Sequence, residues 1–312
     1  MSLVLEVENL RKNFGDLVAV DGISFAVKEG EIFGFLGPNG AGKTTTISMI
    51  CGLLQPSDGE IRVEGLSITD HARVVKQRLG VVPQEVAVYA ELSARENLRF
   101  WGGIYGLSGG ELRQRVEEML VQVGLEDRAK EAVKNFSGGM KRRLNLAMGL
   151  VHRPKLILLD EPTVGIDPQA RHKILEIVEN ITKSGQTVLY TTHYLEEAES
   201  FCDRLAIIDH GKILAEGSVE ELKAQVGEGT LLTVKGAFKE SGLREIVSSL
   251  SGLQAVEIGD GHAMLLVPRE SRGVAPALEG LYGAGLHFDD VLIKEPNLED
   301  LFLRLTGREL RD

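Results

Sequence analysis

The segment Gly37-Pro38-Asn39-Gly40-Ala41-Gly42-Lys43-Thr44-Thr45 joins a glycine-rich turn to a lysine and two hydroxyls. Glycines let the backbone wrap closely around a phosphate chain, so that successive N–H groups donate to its oxygens. Lys43 is then placed to reach the β- and γ-phosphates, and Thr44 to offer its hydroxyl to Mg²⁺, which is the spacing of a P-loop. Downstream, Leu156-Ile157-Leu158-Leu159 ends in Asp160-Glu161. Two adjacent acids at a strand end suit two tasks: Asp160 to hold Mg²⁺ through water, and Glu161 to act as general base or to orient the water that attacks the γ-phosphate. His193 closes the apolar run ending Thr191-Thr192 and can reach the same edge. Gln84 follows Leu79–Pro83 with a neutral amide suited to Mg²⁺ and the attacking water.

These groups work only if the chain delivers them to one place. Glu31–Leu36 is a short apolar run predicting a buried strand, and Thr45–Leu54 has the length and spacing of a helix, so the glycine-rich turn lies between a strand and a helix. Further runs at 79–83, 155–160, 187–191 and 205–209, separated by helical patterns, predict a parallel sheet with crossovers, whose carboxyl edge presents ligand-facing side chains. Strand patterns at 4–7, 18–27 and 61–64 predict an antiparallel subdomain. Residues 85–151 predict an inserted helical subdomain: Ser93-Ala94-Arg95-Glu96 is a capping box, Glu111–Val123 carries an apolar stripe, and another helix begins at Ser137. The fold class is thus α/β.

After Gly227-Glu228-Gly229 the pattern restarts as strand 230–235, helix 239–251, strands 253–258 and 262–267, helix 270–283 and strand 286–293. That order, β-α-β-β-α-β, predicts a small α+β ferredoxin-like domain. The expected domains are 1–226 and 227–312, with an amphipathic helix over 297–305.

Composition sets the outer limits. The 312 residues are 43% hydrophobic and 26% charged, as expected of a folded chain with one or two cores. A net charge of −11 argues against a nucleic-acid partner, which asks for clustered Lys and Arg. No stretch is long and apolar enough to span a bilayer and the N-terminus lacks a signal-peptide pattern, so a cytoplasmic location is expected. Cys51 and Cys202 have no metal-ligand or CxxC spacing and are expected to be small core residues.

Over residues 3 to about 225 these motifs resemble those of the ATP-binding subunits of ABC transporters. The resemblance makes Gly37–Thr45 the Walker A loop, Gln84 the Q-loop glutamine and Phe136-Ser137-Gly138-Gly139-Met140 the signature. It makes Asp160 and Glu161 the Walker B pair, Gly165-Ile166-Asp167 the D-loop, His193 the switch histidine and Phe14 the aromatic stacked on adenine. The signature departs from the commoner Leu-Ser-Gly-Gly-Gln at both ends but keeps Ser137, Gly138 and Gly139.

The resemblance implies a P-loop ATPase with ATP and Mg²⁺ as cofactors, forming an ATP-dependent homodimer in which the signature of one chain completes the Lys43 site of the other. A separate transmembrane permease is implied as partner, which places the chain peripherally at the inner face of the cell membrane. The tail, Asn297–Leu303 with Leu305-Thr306-Gly307, resembles bacterial exporters of antibiotics and drugs. Two alternatives stand beside export: an amino-acid importer ATPase with a regulatory C-terminal domain, and a soluble ABC ATPase acting as a clamp.

Overall fold

The computed structural model describes residues 2–250, 252–271 and 273–306; Gly307 and the rest of the predicted second domain's end lie outside them. The chain divides into two compact units after Glu216.

In the first unit the elements run β1 (Leu3–Phe14), β2 (Leu17–Lys28), β3 (Ile32–Leu36), α1 (Lys43–Ile50), β4 (Asp58–Val63), β5 (Leu66–Ser67), α2 (Ala72–Arg78) and β6 (Leu79–Val82). Then come α3 (Ala94–Ile104), α4 (Gly109–Gln122), α5 (Gly138–Leu150), β7 (Leu156–Asp160), α6 (Pro168–Lys183), β8 (Thr187–Thr192), α7 (Leu195–Phe201), β9 (Arg204–Asp209) and β10 (Lys212–Ser218).

Strands β2-β1-β4-β5 form an antiparallel sheet. A second sheet has the order β10-β9-β3-β8-β7-β6, and the pairings from β9 through to β6 are parallel. Its inner strands β3, β7 and β8 are buried at every position, which is why they are continuous apolar runs rather than alternating ones. Leu5, Val7, Ile61 and Val63 of the first sheet share one core with Phe33, Phe35, Leu156 and Leu158 of the second. Cys51 and Cys202 are buried thiols, as composition suggested.

Helix α1 is shorter than the predicted span to Leu54. Gly52 adopts φ +63°, its N–H donates to Met49 O at 3.0 Å, and Leu53 N–H donates to Ser48 O at 2.9 Å. This left-handed close stops the helix, and only glycine adopts that conformation without strain. In the helical region α3 starts with the predicted capping box: Ser93 Oγ accepts from Glu96 N–H at 3.3 Å while the Glu96 carboxylate accepts from Ser93 N–H at 2.8 Å.

Below α5, the His152 ring stacks on Tyr105 with centroids 3.5 Å apart, and its Nε2 lies 3.0 Å from Leu79 O. A carbonyl only accepts, so the neutral ring carries its proton on Nε2. Burial pushes the His152 pKa down to about 4, with the nearby Arg115 charge adding to the effect and the Leu79 hydrogen bond opposing it. The unfolded chain therefore takes up a proton near pH 6.5 that the folded chain refuses until about pH 4. Stability contributed here is complete above pH 6.5 and falls as pH drops through that window. Allowing for partial exposure, the loss is about 2 kcal/mol by pH 4. Urea denaturation at pH 7.5 and 4.5 checks this: wild type is expected to lose about 2 kcal/mol more than His152→Phe, and equal losses would remove His152 as the source.

The second unit continues with α8 (Val219–Val226), β11 (Gly229–Lys235), α9 (Glu240–Ser249), β12 (Gln254–Gly259), β13 (His262–Pro268), α10 (Val274–Gly283), β14 (Asp290–Lys294) and α11 (Leu298–Thr306). Its sheet has the order β12-β13-β11-β14 and is antiparallel throughout. Leu232, Val234, Leu265 and Val267 form its core with Leu243 and Val247 of α9 and Leu281 of α10.

Among the sequence boundaries that differ from those observed, two concern this unit's limits and last strand. The units divide at Gly217 rather than at 227, because α8 belongs to the second unit, where Arg304 of α11 donates to Gln225 O at 2.7 Å. The last strand starts at Asp290, not 286: Leu286 is buried in this core from a loop, so its apolar character reflects packing rather than extension.

Candidate functional site

The turn after β3 is built from glycines that nothing else could replace. A Cβ on Gly37 would lie 2.2 Å from Ile208 O, and one on Gly42, at φ +106°, would lie 2.6 Å from Ala19 O. With backbone on both sides, the loop keeps a tight path and α1 starts immediately at Lys43. The Lys43 ammonium is buried, donates to Gly37 O at 2.6 Å and Pro38 O at 3.0 Å, and lies 3.0 Å from Glu161 Oε1.

The parallel register pairs Asp160 of β7 with Thr191 of β8. Thr191 Oγ1 consequently donates to Asp160 Oδ1 at 2.8 Å and accepts the Glu161 N–H at 2.9 Å. Thr44 Oγ1 donates to the same Asp160 oxygen at 3.3 Å. Burial raises the Asp160 pKa, and the adjacent Glu161 charge adds to this, against the hydrogen bonds from Thr191 and Thr44 and the charge of Lys43. A carboxylate held in that balance favours a cation close by.

Glu161 adopts φ +45°, unusual for a residue with a side chain, and such strain is held only where surrounding structure imposes it. The turn aims its carboxylate at three groups: Lys43, His193 Nδ1 at 3.3 Å from Oε2, and the Gln84 amide, whose Nε2 donates to Oε2 at 3.4 Å. The predicted Lys43, Thr44, Gln84, Asp160, Glu161 and His193 thus converge. The rest of Gly37–Thr45 frames Lys43, whereas Phe14, the signature and Asp167 make other contacts. Among the described residues, no hydrogen bond of Ser137, Gly138 or Gly139 reaches Lys43 or Glu161. Ser137 caps α5, accepting from Met140 N–H at 3.3 Å, and Asp167 caps α6, accepting from Ala170 N–H at 2.9 Å. Phe14 is exposed at the β1–β2 turn, with Lys12 Nζ 5.1 Å from its ring centre.

The two signature glycines differ. A Cβ on Gly138 meets nothing within 4 Å, whereas one on Gly139 would lie 2.6 Å from Ala170 Cβ. Gly139→Ala is therefore expected to lower the thermal midpoint of the isolated chain, and Gly138→Ala to leave it unchanged or raise it, alanine being the better helix former. A fall with Gly138→Ala would place an unrecognised contact there.

Thr191 and Arg142 carried no assignment in the sequence. Arg142, buried in α5, donates to Gln84 O, to Pro83 O at 3.4 Å and to Val164 O at 3.3 Å, tying the segment after β6 to the turn after Glu161. Its sequence signal is weak: a cation on the inner face of α5, which also carries the buried Asn145. Thr191 is the residue opposite Asp160, a relation no local pattern carries.

One hydroxyl and one carboxylate, Thr44 and Asp160, form a donor set that fits Mg²⁺, which binds one or two protein oxygens and keeps waters and phosphate as its other ligands. Larger clusters of three His, Cys, Asp or Glu able to hold a metal are absent among the described residues.

Residues 20–164 match the family model described as ABC transporter. Over 311 residues the chain is 44% identical to the linearmycin resistance ATP-binding protein LnrL of Bacillus subtilis, covering 99% of this chain and 100% of that one. The chain belongs to the ABC transporter ATP-binding proteins. This ABC protein is also 41% identical over 317 residues to the Nod factor export ATP-binding protein I of Cupriavidus metallidurans, covering 100% of both chains. A solved ATP-binding subunit of an ABC transporter aligns with a TM-score of 0.66 at 33% identity, covering 72% of this chain and 93% of that chain. The ABC protein is an ATPase: it binds and hydrolyses ATP. Subunits of this family dimerise and work with membrane permeases. None of the described helices here is long and apolar enough to cross a membrane.

Proposed function

We propose that this ABC protein is the ATP-hydrolysing subunit of an exporter, acting through a separate transmembrane permease at the inner face of the membrane. The observation that carries it is end-to-end similarity, at 44% and 41% identity, to a resistance ATP-binding protein and an export ATP-binding protein. That similarity runs through the second unit as well as the nucleotide-binding one. A drug-like molecule is the cargo class that the resistance protein's name supports.

In this reading Gly37–Thr45 cradle the phosphates, with Lys43 on the β- and γ-phosphates. Thr44 and Asp160 hold Mg²⁺, with Gln84 beside it. When bound, the ion neutralises charge developing on the phosphates. Glu161 orients the attacking water and takes its proton, and His193 holds the Glu161 carboxylate in place. Phe14 stacks on adenine. Ser137, Gly138 and Gly139 serve the Lys43 site of a second copy, with Asp167 beside the junction; the open space at Gly138 supports this, because no described residue of the same chain would meet a side chain there. ATP then closes the homodimer and hydrolysis releases it, a two-state element that a permease can follow.

Affinity purification from gently solubilised native membranes with Mg·ATP tests the proposal. A multi-span protein in stoichiometric amount is expected with wild type and with Glu161→Gln. Recovery of soluble proteins or nucleic acid alone would replace export with a clamp function.

A further inference from the structure

The two edges of the second unit's sheet are unlike. At one edge, β12 carries a register shift between Ala255 and Glu257 where it pairs with β13, and it places a charge at that irregularity. Bulges and charges are the means by which sheets protect edges from further pairing. At the other edge, β14 pairs with β11 through five consecutive positions, Asp290 to Lys294, with no shift. The strand is apolar at its centre and exposed on both faces: Val291, Leu292 and Ile293 are 38%, 53% and 51% accessible. Val291 and Ile293 lie opposite Val234 and Leu232, on the face that forms the unit's core, and Leu292 lies opposite Thr233 on the other face.

The strand Asp290-Val291-Leu292-Ile293-Lys294 is complementary to itself. Antiparallel pairing of two copies about a two-fold axis sets residues of the same face opposite each other, so the axis passes midway between one residue and its copy. Centred on Leu292, all five positions pair: Leu292 faces Leu292, Val291 faces Ile293, and each Asp290 faces a Lys294. Moving the centre to Val291 or Ile293 leaves three pairs and sets a charge against leucine. Asp290 already lies opposite Lys235 of β11, so the pairing extends a ladder of alternating charge on that face. Lys294 bonds Asp300 at 2.7 Å and remains 27% exposed, leaving donors for a second acid. Just beyond these positions Asp289 of one copy lies toward Glu295 of the other, like charges that oppose extending the pairing past five positions.

We infer that β14 pairs with β14 of a second copy of this chain, antiparallel and centred on Leu292, joining two second units into one eight-stranded sheet. The occupant is a second copy because, in one register, its own reverse pairs all five positions and sets Asp290 against Lys294 at both ends. A two-fold contact also closes on itself, as pairing of β14 with β12 would not. The inference does not depend on the roles proposed for the nucleotide site.

The test uses the full chain with Leu292→Cys, which sets two thiols opposite each other, and a short bis-maleimide in Mg·ATP. Cys51 and Cys202 are buried, and burial pushes the Cys51 thiol up to about 12, so they stay silent. Cross-linked dimer is expected with Leu292→Cys and not with Tyr282→Cys, an exposed position on α10. Adding Asp290→Lys, which turns both end pairs repulsive, is expected to lower dimer yield about tenfold, and Asp290→Asn by less. ATP hydrolysis measured on the same samples reports folding and separates the two readings. A chain that hydrolyses ATP but gives no dimer, or equal dimer from Tyr282→Cys, or dimer indifferent to Asp290→Lys, overturns the pairing and leaves the proposed function standing. Loss of hydrolysis with the cross-link intact would do the reverse.

Discussion

Glu161→Gln is expected to bind ATP as wild type does while hydrolysing it about 10²- to 10⁴-fold more slowly, the contribution of a positioned acid–base group. The amide keeps the size and hydrogen-bonding reach of the carboxylate, so the strained turn at Glu161 and its N–H bond to Thr191 persist. The substitution removes the group able to take a proton, and the charge facing Lys43, His193 and Gln84. Single-turnover phosphate release, with nucleotide affinity measured in parallel, separates the two effects. A fall in affinity that accounted for the whole loss would make Glu161 a binding residue. Near-normal turnover would end its assignment as base and move that role to His193.

Lys43→Met carries the second large effect, and it appears before any nucleotide is added. Lys43 and Glu161 leave only 4% and 5% of their side chains exposed, and Asp160 is buried beside them. Removing the ammonium strands two adjacent carboxylates in a poorly hydrated site and leaves Gly37 O and Pro38 O without their donor. Breaking a buried ion pair from one side costs about 3–5 kcal/mol. Lys43→Met is therefore expected to destabilise the nucleotide-free chain by about 3 kcal/mol and to abolish hydrolysis. The double variant Lys43→Met/Glu161→Gln removes the stranded charge, and its loss should be smaller than that of Lys43→Met alone. Equilibrium denaturation of the four proteins, without nucleotide, gives the coupling directly. Strict additivity would mean that Lys43 does not neutralise Glu161.

The parts of this protein legible from residue order are those whose chemistry is local. The spacing of Gly37, Gly42, Lys43 and Thr44 encodes a loop and a helix start within one short segment. The apolar run before Asp160 encodes a strand buried on both faces, and Ser93 with Glu96 encodes a helix start. The second unit's strand and helix order was equally legible, because turn glycines and alternating apolar residues act over a few positions. Errors fell where a residue serves packing and not its own backbone. Leu286 looks like strand but fills a core from a loop, and Gly52 ends α1 within a run that is helical in pattern.

Which groups meet was settled by the folded arrangement. Thr191 holds Asp160 and the Glu161 backbone because β7 and β8 pair in one register, and a shift of a single residue would turn Thr191 to the other face. Arg142 joins Gln84 to Val164 because α5 passes between the segments after β6 and β7. Gly139 is held to glycine by Ala170, while Gly138 is not held by any described residue of its own chain. The exposed edge of β14 likewise comes from strand order, which no run of five residues encodes. Local pattern sets backbone conformation through forces that reach a few residues along the chain, whereas burial, register and charge pairing act between segments distant in sequence and exist only once the chain has folded.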